Sequence, residues 1–212
     1  LPLLMVMDII SLKLYWKKWE WFYARSLLVG AIPGVFLGLV LLSFLSSPIL
    51  KILIGGFALV YVINQFASAV IKSSSVVGKS LVTLKKWSFV LLKSGFFFGF
   101  FAGFASFVSH AGGPPVAIYL LANSLSKLGY QATTVLVFWW INVLKIFPYF
   151  HLGMLNKEVI WLNLIFVPVA IIGVKLGEIF NRNMSSSLFF SISYILLALA
   201  GIKLLFDGSQ SI

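Results

Sequence analysis

The chain has 212 residues, of which 61% are hydrophobic and 10% charged, whereas a soluble globular domain carries about 25% charged residues. This composition excludes a soluble fold and indicates a membrane protein. The formal net charge of +11 comes from lysines and arginines that flank apolar runs, as in polytopic membrane proteins, and a nucleic-acid partner is not expected. Cysteine is absent, which excludes disulfides and thiolate metal sites.

Apolar runs recur along the chain, and several are about 20 residues long, enough to cross a hydrocarbon core of about 30 Å. They lack the alternation of barrel strands, so helices must satisfy the backbone hydrogen bonds within lipid. The sequence therefore predicts an all-α, polytopic transmembrane helix bundle. The predicted spans are residues 1–12, as the tail of a helix, 23–45, 48–71, 87–124 with an interruption, 131–150, 158–180 and 185–206.

The first span contains one acidic residue, Asp8. An ionisable side chain inside a span is costly and is a functional candidate by default, so Asp8 is a candidate for proton coupling. The alternative is an ion pair with Lys13, in the basic segment that follows, or with another cation. That segment, residues 11–25, and a second one, residues 72–86, hold most of the clustered lysine and arginine. Both are predicted to face the cytoplasm.

Two short sequences indicate an internal repeat. AIPGVFLG at 31–38 and AIIGVKLG at 170–177 agree at six of eight positions, and a pair of serines follows each at the same distance. Chance similarity between apolar helices is the alternative. The duplication predicts two units: residues 1–86 form the remainder of a first repeat, with the basic loop 72–86, and residues 87–212 form the second. By this offset the first repeat is truncated at its N-terminus.

The second repeat begins with a span that is interrupted at residues 110–115 by the sequence HAGGPP. The two glycines permit backbone conformations closed to other residues, and the two prolines fix φ and lack N–H groups. A helix is therefore predicted to end near Ser109 and another to begin at Pro114 or Pro115, because proline suits the first turn of a helix.

The interrupted span either crosses the membrane once or enters it and returns. The positive-inside rule does not decide, because both arrangements place the same number of cations in the cytoplasm. Residues 114–124 are too few to span the membrane alone, so a single discontinuous crossing is favoured. A single crossing would make the two repeats parallel, and a re-entrant hairpin would make them inverted.

The interruption is the predicted substrate site. Irregular backbone at membrane depth is tolerated where it is buried in protein or lines a watery cavity, and the start of a half-helix offers N–H groups and partial positive charge to an anion. His110 adds an imidazole that titrates near neutrality, which makes it a second candidate for proton coupling. The alternative is a proline kink with His110 hydrogen-bonded to a carbonyl. The candidates here are Ser109, His110, Gly112, Gly113 and Pro114.

Asn142, Lys145 and Tyr149 follow at i, i+3 and i+7, along one face of the next predicted helix. Asn142 and Lys145 complete the predicted substrate-binding set, with Lys145 as a point charge for an oxyanion. The alternative for Lys145 is that it reaches the lipid headgroups, because the polar turn at His151 is close.

No enzyme or metal signature accompanies these residues. The sequence lacks Gly-x-Ser-x-Gly, His-Glu-x-x-His and P-loop elements, and its two histidines are 41 residues apart without clustered carboxylates. We therefore expect neither an enzyme nor a metal or other cofactor.

At the interruption, HAGGPPVAIYLLANSL resembles the glycine-rich, proline-containing stretch that starts a repeat in the TauE/SafE family of sulfite exporters and 4-toluenesulfonate uptake permeases. LPLLMVMDIISLKLYWKKWEW followed by LLVGAIPGVFLG resembles the first repeat of that family. The resemblance covers essentially all 212 residues. It implies a duplicated four-helix unit with eight spans, of which this chain, without the first glycine-rich stretch, has about seven.

The resemblance also implies transport of sulfite, sulfonates or related organosulfur compounds across the plasma membrane. The predicted function is accordingly that of a secondary, multi-pass transporter of small anions, surrounded by the lipid bilayer. A non-transporting scaffold or assembly subunit and an anion channel are the alternatives. The sequence leaves open the substrate, the direction of transport, the coupling ion and whether the chain forms a homo-oligomer.

Overall fold

Helices make up most of the described chain. The computed structural model describes residues 1–42, 47–73 and 94–210, although not the side chains of Ser47 and 66–73, and these residues form α-helices without any strand. The all-α prediction is confirmed. In chain order the helices are α1 (Pro2–Leu14), α2 (Trp21–Leu41), α3 (Ser47–Ser73), α4 (Gly95–Ser109), α5 (Gly113–Ala122), α6 (Lys127–His151), α7 (Lys157–Asn183) and α8 (Ser186–Ser209).

Five of the described helices are long and apolar enough to cross a membrane, namely α2, α3, α6, α7 and α8. Helices α1, α4 and α5 are shorter, at 13, 15 and 10 residues. Each predicted span therefore contains a helix or, at the interruption, two. Most of the second basic segment, residues 72–86, lies outside the described residues.

Polar side chains fix several helix starts. In four helices the residue before the first turn accepts a hydrogen bond from the backbone N–H three positions later, which satisfies one of the donors that a helix start leaves free. These residues are Ser94, Ser126, Asn156 and Ser185. At the opposite end of α7, the ammonium group of Lys127 donates to the carbonyls of Asn181 and Met184 at 2.6 and 2.5 Å.

Helices α2 and α4 run parallel in close contact. A Cβ atom on Gly30 would collide with the carbonyl group of Phe96, and one on Gly34 would collide with that of Phe100. The contacts advance in the same direction along both helices. Small residues at this spacing permit close backbone approach between helices in membranes, and here they hold α4 against α2.

Helix α5 turns back along α4, so that the two helices form a re-entrant hairpin. Gly112, at the start of α5, packs against Ala102 in the second half of α4, whereas Tyr119 near the end of α5 reaches Gly95 at the start of α4. The expected single discontinuous crossing is therefore wrong. The left-handed conformation of His110, with φ of 54°, reverses the chain, and α5 then buries its apolar side chains against α4.

The other helices surround this hairpin. Helices α3 and α8 run antiparallel, with Gly55 against Gly201. The backbone N–H of Leu3 in α1 donates to Asn163 of α7 at 3.0 Å, and α1 also packs along α6. In α7 only Ala170 is buried, so the described residues leave most of this helix uncovered.

A methyl group tests the α2–α4 contact. We expect Gly34→Ala to lower the melting temperature of the detergent-solubilised protein, because the new Cβ must displace the Phe100 carbonyl and overpacking costs about 1–3 kcal/mol. Gly173→Ala is the matched control, since Gly173 is the related position in AIIGVKLG and no atom lies within 4 Å of its Cβ position. Thermal unfolding followed by size-exclusion chromatography measures both variants. Equal melting temperatures would contradict the close contact.

Candidate functional site

The tip of the hairpin, residues 109–113, joins α4 to α5. The carbonyl of Ala105 accepts three hydrogen bonds there: from the N–H of His110, from the N–H of Ala111 at 3.2 Å and from the hydroxyl of Ser109 at 3.2 Å. Such bonds close the last turn of a helix before a left-handed residue. The hydroxyl proton of Ser109 is thus used to end α4, and its oxygen keeps only acceptor capacity.

The start of α5 leaves few free amides. Gly112 is the residue before the helix, and a Cβ on it would lie 2.7 Å from the carbonyl oxygen of Ala102, so glycine is required. Among the residues that the structure describes, none has an atom within 4 Å of the Cβ position of Gly113, which faces open space there. Pro114 and Pro115 are buried and have no N–H. The amides that this helix start offers to a ligand are therefore those of Gly112 and Gly113.

Two side chains of α6 bind the last turn of α4. The ammonium group of Lys145 is fully buried and donates to the carbonyl of Ser106 at 2.7 Å. The hydroxyl of Tyr149 donates to the carbonyl of Phe107 at 3.2 Å. These carbonyls lie at the negative end of the α4 dipole, where a cation is stabilised. Lys145 therefore does not reach the headgroups, and that alternative is wrong.

The same face of α6 also binds α1. The side-chain amide of Asn142 donates to a carboxylate oxygen of Asp8 at 2.7 Å, and Asp8 is close enough to Lys145 for the opposite charges to attract. The carboxylate of Asp8 is bound by Asn142, and the cation near it is Lys145 rather than Lys13. An acid, an amide and an ammonium thus lie together inside the bundle.

His110 connects this polar cluster to the outside of the protein. Its side chain is exposed, and its Nε2 atom lies 3.5 Å from the hydroxyl of Tyr149. The neighbour of the imidazole is therefore a hydroxyl, not the carbonyl that the kink alternative required. The tip lies level with the end of α2, because Phe107 packs against Gly38, so the exposed imidazole lies toward that end of the bundle.

The structure brings the sequence-predicted residues into one region. It joins Asp8, Asn142 and Lys145 to the tip that carries the remaining candidates, namely Ser109, His110, Gly112, Gly113 and Pro114. The residues that sequence reasoning missed are Ser106 and Phe107, which act through backbone carbonyls. General rules of helix ends could have indicated these carbonyls. Every helix end leaves carbonyls without an intrahelical donor, and a buried lysine nearby needs hydrogen-bond acceptors.

A comparison with known protein families found one match, which covers the residues of this region. The family described as "Sulfite exporter TauE/SafE" matches residues 1–204, which include the tip, α1 and α6. Neither the curated proteins nor the solved structures gave a match.

Single cysteines test whether the tip is open to water, because the native chain has none. We expect His110→Cys to react readily with a hydrophilic maleimide and Ser106→Cys, at a position only 6% exposed, to react slowly, since the reactive thiolate forms in water. The gel shift caused by a polyethylene-glycol maleimide measures the reaction in purified protein. A protected cysteine at position 110 would contradict an exposed tip.

Proposed function

This chain belongs to the sulfite exporter TauE/SafE family, and from this premise we propose that it carries a small sulfur oxyanion, sulfite or a sulfonate, which binds at the hairpin tip. Members of the family are membrane transporters and not enzymes. The proposal thus concerns the substrate, its site and the coupling ion. We further propose that the transporter lies in the plasma membrane with its basic segments in the cytoplasm.

The observation that carries the proposal is the buried ammonium group of Lys145, which binds the last turn of α4 beside a tip that offers the amides of Gly112 and Gly113. Lys145 donates to the carbonyl of Ser106, and the side chain of Ser106 lies against Gly112, so Ser106 connects the cation with the start of α5. An ammonium group has three donors, and one of them binds the carbonyl. The hydroxyl of Tyr149 and the imidazole of His110 extend the same surface. These groups suit an acceptor-only ligand with several oxygens.

The anion and the helix end compete for the same donors. Lys145 and Tyr149 bind the last carbonyls of α4 in the described state, and an oxyanion that accepts from them must replace those bonds. Binding therefore loosens the tip from α6. Re-entrant and broken helices in secondary transporters place substrates between the moving parts of the fold. Because the anion replaces bonds between the tip and α6, it interacts differently with the bound and the loosened state of the tip, as a ligand-driven conformational change requires.

Asp8 makes the site suitable for proton coupling. In the absence of an anion its carboxylate partly balances Lys145. When an anion approaches Lys145, a second negative charge at Asp8 is unfavourable in a medium of low dielectric constant. Protonation of Asp8 then accompanies binding of the anion, and His110 relays the proton between the tip and water.

The directions of the helices support a duplicated, inverted architecture. Helix α2 runs parallel to α6. The indole N–H of Trp140 donates to the carbonyl of Leu28 at 3.1 Å, and the backbone N–H of Glu20 donates to the hydroxyl of Thr133 at 3.0 Å. Helix α1 runs with α7 and against α6. Consequently α2 and α7, which carry the related sequences, run in opposite directions. The starts of α3 and α8 are separated by the same number of residues as AIPGVFLG and AIIGVKLG.

Packing distinguishes the two related helices. In α2, a Cβ on Gly38 would collide with Phe107, whereas no atom of the described residues lies within 4 Å of the Cβ position of Gly173 or Gly177 in α7. The glycine face is therefore filled in α2 and open, as far as the described residues go, in α7. Residues 1–86 and 87–212 remain our proposed repeats.

Filling the open space at the tip tests the site. We expect Gly113→Leu to abolish flux of radiolabelled sulfite in proteoliposomes, a loss of more than about tenfold or about 1.4 kcal/mol, because the side chain occupies the space beside the free amides without a clash. His110→Ala is expected to act in the same direction. Gly56→Leu is the matched control, since Gly56 also has no neighbour within 4 Å but lies in α3. Full flux in Gly113→Leu would refute the assignment of the site.

Neutralising Asp8 tests the coupling. We expect an imposed pH gradient to accelerate sulfite flux in the wild type and to have no effect in Asp8→Asn, while exchange at equal pH persists, because asparagine keeps a hydrogen-bond acceptor for Asn142 but cannot titrate. Asp207→Asn is the control, since Asp207 pairs with Lys203 on the surface of α8. Sensitivity to the gradient in Asp8→Asn, or insensitivity in the wild type, would remove proton coupling and leave the anion site intact.

A further inference from the structure

An apolar cavity lies between α3 and the hairpin. It has a volume of about 250 Å³ and is lined by α3, α4 and α5. Its deeper wall includes the buried side chains of Ile54, Phe98, Phe104 and Ile118. At its mouth lie Leu53, Phe57, Phe97 and Phe101, which are exposed. Among the described residues no charged side chain lines the cavity, so it does not suit the anion proposed above.

The surroundings of the cavity restrict its occupant. The exposed apolar residues at the mouth belong to α3 and α4, and α3 is long and apolar enough to cross a membrane. A cavity that opens on this surface faces hydrocarbon, and an empty apolar space forfeits dispersion contacts with its lining. The lining residues of α3 run from Leu50 to Phe57, about 10 Å along the helix. This shape fits an extended hydrocarbon chain.

A cation lies at the same end of α3 as the lining residue Leu50. Lys51 is one turn inside the start of α3, next to the lining residue Leu50. Its side chain is partly exposed, and no carboxylate pairs with it in the ranges that the structure describes. Lysines near helix ends reach the headgroup level and attract anionic lipid groups.

We propose that the cavity binds one acyl chain of a membrane phospholipid whose phosphate group lies at Lys51. The chain enters at Leu53 and packs against both arms of the hairpin, on Phe104 of α4 and Pro115 of α5. The lipid thus contacts the element that carries the anion site without contacting the site itself.

Photo-crosslinking in nanodiscs tests this proposal with the full chain. The probe is phosphatidylglycerol with a diazirine in its acyl chain, and mass spectrometry of peptides locates the adducts. We expect an adduct on Phe104, a buried residue that lipid outside the cavity does not reach. Leu53→Trp blocks the mouth, and the adduct on Phe104 is lost. Val60→Trp is the matched control, because Val60 and Leu53 are both 64% exposed on α3 and only Leu53 lines the cavity.

The contribution of the phosphate is tested separately. Diacylglycerol with the same diazirine chain, which has no phosphate, should label Phe104 much less than phosphatidylglycerol does, and Lys51→Gln should remove that difference. Adducts confined to exposed residues, or an unchanged yield at Phe104 in Leu53→Trp, would overturn the proposal and leave the cavity to another occupant, such as a second copy of the chain. Equal labelling by the two lipids would overturn the assignment of the phosphate to Lys51.

Discussion

The ammonium group of Lys145 lies fully buried against the last turn of α4, and the position of the hairpin tip depends on this contact. A buried cation without partners costs several kcal/mol, and a helix end inside a membrane leaves carbonyls without donors. Here the buried ammonium group donates a hydrogen bond to one of these carbonyls, so both groups have a partner. Tyr149, one turn along α6, repeats the arrangement on the next carbonyl. A reversal of the chain within the bundle is thereby stabilised.

The glycines of α2 and the hairpin make that contact possible. Gly30 and Gly34 bring the backbone of α4 against α2, and Gly112 brings the start of α5 against α4 at Ala102. Because these contacts are made by glycines, the backbones of the helices lie close together, and the polar groups of α6 reach the end of α4 directly. Gly113 and His110 nevertheless lie at an open surface, so a close backbone contact is adjacent to accessible polar groups.

The chemistry of the site follows from what its groups can exchange. Lys145 and Tyr149 hold carbonyls that an oxyanion can replace, and Asn142 holds Asp8, whose charge is tied to that of Lys145. A group that binds both a helix end and a substrate couples the two, which is the requirement for a ligand to shift a conformational equilibrium. In our proposal, a lipid chain in the apolar cavity contacts the same hairpin, on Phe104 and Pro115.

The sequence by itself determined the helical class, the positions of the helices and the break near Ser109, because length, hydropathy and the glycine–proline run act locally. It also indicated Asp8, Asn142 and Lys145, which the structure brings together, since polar and ionisable residues in spans are rare. It did not determine the direction of α5, because charge counts were equal for both topologies and His110 gave no local sign of a left-handed conformation. Only tertiary packing decided the hairpin, and with it the joining of Lys145 to Ser106.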